Sequence, residues 1–240
     1  MIAFAALVYL ASYGARTPLL ALRGLVRLRN LTLVLAPAVT LGLAARLIEA
    51  LWPSAGDGAF AVALVPAPLF ASELVTRLRG RMDLAGVLVL GTMVFSLLFI
   101  GSRTSLATGV LFAATESFVI AAMVANALPT VRDAILLPVR VAGWLAAAVL
   151  IAFAVIALPI VDAGTIVAAL ALLIAGVGAA AIAAMLSQRD VIATVAGAGL
   201  RDPILAVAFA MFVSGPRSSG VAVVYGVFCL VLSAVALRAR

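Results

Sequence analysis

Long apolar stretches with few charges recur along the whole 240-residue sequence. A helix that crosses the hydrocarbon core of a bilayer needs about 20 mostly apolar residues. Backbone groups in lipid must be hydrogen-bonded within the protein, which favours helices for continuous apolar runs. We therefore predict an all-α polytopic membrane protein with about nine transmembrane helices, near residues 1–15, 31–51, 58–76, 84–101, 105–128, 134–158, 162–186, 190–213 and 219–238.

The composition excludes a soluble fold. The chain is 67% hydrophobic and 10% charged, whereas soluble domains are about half apolar and about a quarter charged. A soluble globule of this length could not bury so much apolar surface, but a lipid bilayer can accept it. No polar stretch is long enough for a second domain, so we expect a single transmembrane transporter domain over residues 1–240. The N-terminal stretch lacks the basic leader of a signal peptide, and we interpret it as the first span.

The basic residues predict the orientation in the membrane. All 16 are arginines, and the sequence pI is about 11.2, a balance that could by itself indicate nucleic-acid binding. They lie in short loops between apolar runs, as expected for orientation signals, so we predict no nucleic-acid partner. Their bias places the N-terminus outside and the C-terminus in the cytoplasm, and the exclusive use of arginine indicates a GC-rich bacterial genome and hence the inner membrane. The predicted cytoplasmic side carries Arg16, Arg23, Arg27, Arg29, Arg77, Arg79, Arg81, Arg132, Arg189, Arg238 and Arg240.

The sequence offers little material for catalysis. It contains no histidine, which removes the commonest general base and metal ligand, and Cys229 is its only cysteine. No nucleophile is paired with a base in the pattern of an enzyme site. We therefore expect no enzymatic activity, no cofactor and no metal site.

The third apolar stretch contains two prolines. Pro66 and Pro68 each lack a backbone donor and clash with the preceding turn, so the helix is expected to unwind there. Ser72 and Glu73 follow within two turns. Glu73 forms either an i, i+4 ion pair with Arg77 or part of a solute pathway, since carboxylates inside membranes are usually functional.

The eighth apolar stretch is interrupted more severely. Gly197 and Gly199 loosen its helix, and Arg201, Asp202 and Pro203 follow near its middle. A charge at the bilayer centre costs about 2.5–3.5 kcal/mol even on the mildest scale. This cost favours a functional site over the alternative, a self-neutralising charge pair that only caps a broken helix.

The two interruptions occupy comparable positions in two halves of the chain. Residues 1–101 contain four predicted spans and residues 105–240 contain five, which indicates an inverted repeat whose first half lacks an opening helix. Interrupted helices at matching positions of two repeats are the best sequence indication of a transporter binding site. Glu116, in the middle of the fifth stretch, either faces a cavity or hydrogen-bonds a neighbour.

Three segments resemble the bile acid:sodium symporter family. YLASYGARTPLLALRGLVRLRN is similar to the first conserved hairpin of the family, VPAPLFASELVTRLRGRMDLAG to its first crossing helix, and VIATVAGAGLRDPILAVAFA to its second. The chain resembles the nine-span form of that family. The resemblance implies that spans two to four and seven to nine form a core bundle, in which the two broken helices cross. Spans one, five and six would form a panel bundle beside the core.

The resemblance does not extend to the sodium ligands of the family. Only Ser72 and Asp202 retain useful side-chain oxygens, and Arg201 brings a positive charge close to a former cation position. The family fold therefore implies transport, while sodium coupling is doubtful. With the segments aligned on Pro66 and Gly80, the ligand positions fall on Ala71, Ser72, Ala85, Val89, Gly197, Arg201 and Asp202.

These features predict a secondary transporter that moves a small organic anion by alternating access. Helix N-termini at the breaks favour anions, and Arg201 offers a planar fork for a carboxylate. A proton on Glu73, Glu116 or Asp202 could supply coupling. The residues predicted to bind the solute are Pro66, Pro68, Ser72, Glu73, Gly197, Gly199, Arg201, Asp202 and Pro203.

Two alternative functions are compatible with the sequence. A cation/proton antiporter with a similar crossed-helix core would use Asp202 as the exchanging carboxylate. Arg201 argues against it, because a neighbouring cation weakens proton binding to a carboxylate. A degenerate family member that no longer transports would account for the lost sodium ligands.

Overall fold

The structure, a computed structural model, describes residues 2–14, 27–68, 70–100, 117, 120–156 and 161–239. These residues form helices and short connections, and no strand occurs among them. The helices are α1 (Ile2–Gly14), α2 (Leu28–Leu51), α3 (Pro53–Leu64), α4 (Ala71–Arg77), α5 (Met82–Ile100), α6 (Pro129–Ile156), α7 (Ala163–Leu186), α8 (Val191–Thr194), a π-helical turn (Val195–Gly199), α9 (Pro203–Ser214), a 3-10 turn (Pro216–Ser219) and α10 (Gly220–Arg238).

The described part of the chain is that of an all-α membrane protein. Four of its helical segments are long and apolar enough to cross a bilayer: Arg29–Leu51, Ala163–Leu186, Val191–Ser214 and Gly220–Arg238. Large apolar side chains also face outward along these helices, among them Leu43, Leu186 and Leu230, and Leu186 is 82% exposed. Exposed apolar surface on this scale is stable when lipid covers it.

The positions of the helices agree with the predicted spans in the part that the structure describes. Helices occupy every predicted stretch; of 105–128 the structure describes only 117 and 120–128, in which residues 117 and 120–127 are helical. The segment from Arg16 to Asn30, which is too polar to span the membrane and is expected to lie along its cytoplasmic surface, also lies largely outside the described residues. Two predicted spans are not continuous helices: α3 and α4 divide the third, and α8, the π-helical turn and α9 divide the eighth. The prolines and glycines of these two stretches therefore mark real interruptions.

The helices pack into two groups. One consists of α1 and α6, which lie along each other. In the other, α2, α3, α7, α9 and α10 pack side by side, and α5 packs against the π-helical turn. The pair of α1 and α6, called here the outer pair, contacts the larger group, called here the bundle, at α9.

Small residues set the distance between α7 and the π-helical turn. A Cβ on Gly176 would clash with the carbonyl oxygen of Gly199, and a Cβ on Gly199 would lie 2.8 Å from the Cβ of Ala180. A Cβ on Gly197 would lie 3.1 Å from the carbonyl oxygen of Ala85. The glycines expected to loosen the eighth span thus also let its backbone approach two neighbouring helices closely.

Candidate solute-binding site

Several backbone groups at the interruption between α3 and α4 are hydrogen-bonded outside a regular helix. Because Pro66 and Pro68 have no N–H group, Ala67 is the only residue between them that can donate. Its N–H donates to Thr92 Oγ1 on α5 at 3.0 Å. The carbonyl oxygen of Pro68 accepts from the N–H of Ala71 at 3.0 Å, where α4 begins. Pro66 and Pro68 are both buried, so these bonds replace contacts with water.

The backbone N–H groups at the interruption before α9 are also hydrogen-bonded. The Leu200 N–H donates to the carbonyl oxygen of Val195 at 2.9 Å, which closes the π-helical turn. The Arg201 N–H donates to the hydroxyl of Tyr225 on α10 at 3.0 Å. Pro203 needs no acceptor and takes the first position of α9, where proline is favoured. The bonds of Leu200 and Arg201 and the position of Pro203 therefore stabilise a non-helical backbone between the π-helical turn and α9.

The two interruptions meet. The Asp202 N–H donates to the carbonyl oxygen of Pro66 at 2.8 Å, a bond from one break to the other. On either side of it, α3 packs against α9 and α4 packs against the π-helical turn. The first half of each interrupted helix thus lies beside the second half of the other, as expected for two antiparallel helices that cross at their breaks.

A second contact joins the two interrupted helices, between the turn after α4 and the residue before α8. The N–H of Arg81, in the turn after α4, donates to Asp190 Oδ2 at 2.7 Å. Asp190 precedes α8, and its other carboxylate oxygen accepts from the N–H of Ala193 at 3.0 Å. One aspartate therefore caps α8 and anchors the α4–α5 turn to it.

Asp202 acts as the N-cap of α9. Its Oδ1 accepts from the N–H groups of Ile204 and Leu205, both at 3.0 Å. Its Oδ2 accepts from the hydroxyl of Tyr9 on α1 at 3.1 Å. The positive end of the α9 dipole and these donors balance the carboxylate charge. The anion-binding N-terminus predicted at this break is therefore already occupied by a side chain of the protein.

Arg201 is in the opposite situation. The residue is 0% exposed, and none of its three guanidinium nitrogens has a hydrogen-bond partner in the described part of the protein. Leaving a buried charge without a partner is strongly destabilising, by about 3–5 kcal/mol in mutational studies. Arg201 and Asp202 adjoin in sequence, yet they form no ion pair among the described side chains, because Asp202 turns its carboxylate to α9 and Tyr9. The self-neutralising charge pair considered from the sequence is not formed.

The remaining predicted site residues fall around or outside this crossing. Glu73 is half-buried in the first turn of α4, and Arg77 is exposed in its last turn. Ser72 lies in α4, but the structure does not describe its side chain, and Glu116 lies outside the described residues. Gly197 and Gly199 are buried in the π-helical turn. The structure thus gathers Pro66, Pro68, Gly199, Arg201, Asp202 and Pro203 at the crossing.

Sequence reasoning missed three residues that complete this site: Tyr9, Thr92 and Tyr225. All three are buried, and their hydroxyls bond to the residues of the breaks. A weak signal was present, because hydroxyl side chains inside apolar spans usually bond to a neighbouring helix. Their partners could not be identified from sequence spacing.

A separate apolar cleft lies away from the crossing. It has a volume of about 240 Å³ and lies between α1, α6 and residues 121–125. Among the described residues that line it, Ser12 contributes the only hydroxyl and none is charged. The described lining therefore offers no group that would recognise an anion.

No protein-family model matches the chain, and no curated protein matches it.

Proposed function

We propose that this chain is a secondary transporter that moves a small organic anion across the membrane by alternating access, with Arg201 as the anion-binding residue. The observation that carries the proposal is the fully buried guanidinium without a described partner at the crossing of two interrupted helices. All backbone donors from Leu200 to Leu205 are bonded. A buried guanidinium without a hydrogen-bond partner, in a site whose backbone donors are all bonded, is the group expected to bind a ligand.

The donor geometry favours a carboxylate as the recognised group. A guanidinium presents planar pairs of N–H groups, and a carboxylate can accept two of them at once. Asp202 is engaged with α9 and Tyr9, so the Arg201 guanidinium has no ion-pair partner among the described side chains. One carboxylate would supply that partner, whereas the second carboxylate of a dianion would be buried without one. We therefore propose a monocarboxylate with a small apolar body as the substrate class.

The arrangement of helices supports the finer architecture proposed with this function. We propose nine transmembrane helices in an inverted repeat of four plus five, with a core bundle of spans two to four and seven to nine and a panel of spans one, five and six. The division into the bundle and the outer pair follows that order as far as the chain is described. The same resemblance to the bile acid:sodium symporter family supports membership in its superfamily.

We further propose a location in a bacterial inner membrane, with the N-terminus outside and the C-terminus in the cytoplasm. Transport would not use sodium at the family's positions. Ala85 and Val89 offer only backbone oxygens, and the backbone of Gly197 lies against Ala85 and Leu88. The antiporter alternative draws no support from the site, because the carboxylate that would exchange ions caps α9.

Uptake in proteoliposomes tests the proposal. Radiolabelled acetate, pyruvate and benzoate should accumulate in preference to malonate and succinate. Arg201→Lys should reduce uptake by about tenfold or more, because a point charge replaces a planar fork, and Arg201→Met should abolish it. Arg238→Met, at an exposed arginine at the end of α10, serves as the matched control and should transport normally. Unchanged uptake in folded Arg201→Met would remove Arg201 as the anion site, and no uptake by the unaltered protein would favour a non-transporting chain.

A further inference from the structure

The half-helix α9 links the candidate site to the outer pair. In the described part of the chain, α1 and α6 contact the bundle at α9, and α9 begins directly after Arg201 and Asp202. Any movement of the outer pair relative to the bundle therefore acts at the edge of the anion site.

Among the described residues, a side-chain hydrogen bond crosses this contact. The hydroxyl of Tyr9 on α1 donates to Asp202 Oδ2 at 3.1 Å, although the two residues lie 193 positions apart in sequence. Tyr9 is 5% exposed and Asp202 is 0% exposed. A hydrogen bond to a carboxylate away from water is among the stronger types in proteins. It therefore contributes to holding α1 against the bundle.

The two oxygens of Asp202 have separate roles. Oδ1 accepts from Ile204 and Leu205 and caps α9, whereas Oδ2 accepts from Tyr9. The bond to Tyr9 can consequently break without uncapping the half-helix. This division separates the stability of α9 from the contact between the two groups of helices.

We propose that Tyr9 is a latch that holds the outer pair against the crossing while Arg201 is enclosed, and that this bond must break before the anion site opens. The inference rests on the proposed function, because alternating access requires the bundle and the outer pair to separate around an enclosed Arg201. Tyr9 is a positioning residue in this scheme: it acts through Asp202 and sets how often the site opens.

Loss of the hydroxyl should shift the balance towards open states. Net contributions of hydrogen bonds to charged groups correspond to about a tenfold change or more in an equilibrium constant. Tyr9→Phe should therefore raise the open population by about tenfold, with α9 still capped by Asp202.

Alkylation of an introduced cysteine measures this population. Ala206 lies one turn beyond Asp202, its N–H donates to the Asp202 carbonyl oxygen, and it is 0% exposed. In a Cys229→Ala background, Ala206→Cys provides a single thiol at the start of α9. Its reaction with N-ethylmaleimide is followed in purified protein without substrate. We expect Tyr9→Phe to accelerate alkylation by about tenfold.

Tyr225→Phe is the matched control. It also removes a buried tyrosine hydroxyl from the crossing, but the bond that it deletes, to the Arg201 N–H, lies within the bundle. Alkylation should then stay within about twofold of the parent, because the contact with the outer pair is intact. Equal acceleration by both variants, or none with Tyr9→Phe, overturns the latch.

Two additional measurements keep the outcome decisive. If Tyr9→Phe reduces the yield of folded protein, Asp202→Asn replaces it, because asparagine caps a helix as well as aspartate but accepts a weaker bond from Tyr9. Acceleration should again appear, and its absence contradicts the latch. Uptake by the parent protein is measured in parallel: failed uptake refutes the proposed transport and leaves the alkylation result standing, whereas unchanged alkylation refutes the latch alone.

Discussion

At the scale of single residues, the charged groups of the neighbours Arg201 and Asp202 differ in whether they have hydrogen-bond partners. Asp202 has donors on both carboxylate oxygens, whereas the guanidinium of Arg201 has no described acceptor. Adjacent charges in a sequence need not form a pair, because consecutive side chains leave the backbone in different directions. The residue that remains uncompensated is the one expected to bind a ligand.

The first prediction separates the binding role of Arg201 from its effect on stability. Arg201→Met removes a buried charge and keeps a long side chain. The ligand-free variant should therefore have a higher melting temperature, and its free energy of unfolding should be larger by at least about 1 kcal/mol. The same variant should lose stabilisation by monocarboxylates. Thermal unfolding with and without benzoate measures both effects, and a lower melting temperature for Arg201→Met would indicate a structural role.

At the scale of elements, three of the described helices begin at a capping aspartate. Asp162 precedes α7, and its Oδ1 accepts from the N–H and the hydroxyl of Thr165, both at 2.7 Å. Asp190 and Asp202 cap α8 and α9 in the same manner. Each cap satisfies N–H groups that the first turn of a helix leaves without partners.

The second prediction concerns pH and the Asp162 cap outside the membrane-spanning part. Its bond from the Thr165 hydroxyl, followed by that from the Thr165 N–H, lowers the pKa of Asp162 below the ordinary value of 3.8. A lowered folded pKa gives stability that is present above pH 3.8 and is lost as the pH falls through the folded pKa. The difference in melting temperature between the unaltered protein and Asp162→Ala should therefore be constant near neutral pH and shrink below about pH 4. A difference that grows in acid would contradict this assignment.

The third prediction compares two glycines in α7. Gly176→Ala should destabilise the protein by about 1–3 kcal/mol, because its Cβ would meet the backbone of Gly199. A Cβ on Gly178 would have nothing within 4 Å, so Gly178→Ala should be neutral or stabilise by up to about 1 kcal/mol through helix propensity. Since propensity acts equally on both, their difference in thermal stability isolates the packing of α7 on the π-helical turn.

At the scale of the whole molecule, the bundle and the outer pair are distinct in their contacts. The described helices of the bundle pack extensively on one another, whereas the outer pair joins their buried core mainly through its contacts with α9. Groups of helices with limited mutual contact are expected to move relative to each other more easily than helices within one core. This difference is the structural basis on which alternating access is proposed.

The fourth prediction tests the proposed orientation of the whole molecule. A fluorescent protein that matures only in the cytoplasm, fused after Arg240, should be bright in bacterial cells. The physical reason is the excess of arginine in the loops assigned to the cytoplasm. A dark fusion with normal expression, together with an active periplasmic reporter at the same position, would invert the topology.

The sequence by itself determined the local features of this protein. The length and apolarity of its runs placed the helices, because each helix satisfies its own backbone bonds in lipid. Pro66, Pro68 and Pro203 placed the interruptions, because a missing N–H and a steric clash act on the same turn of the chain. These effects depend on neighbours within a few residues and are therefore readable without a structure.

Only the tertiary structure decided how the interruptions are used. The bonds of Ala67 to Thr92, of Arg201 to Tyr225 and of Asp202 to Tyr9 join residues 25, 24 and 193 positions apart. Helix packing brings these groups within hydrogen-bonding distance, and neither composition nor spacing encodes which helix face meets which. For the same reason the sequence predicted both charges of the eighth span as candidates. The structure separated them into a capping carboxylate and a buried guanidinium, since only the completed set of contacts shows which charge lacks a partner among the described residues.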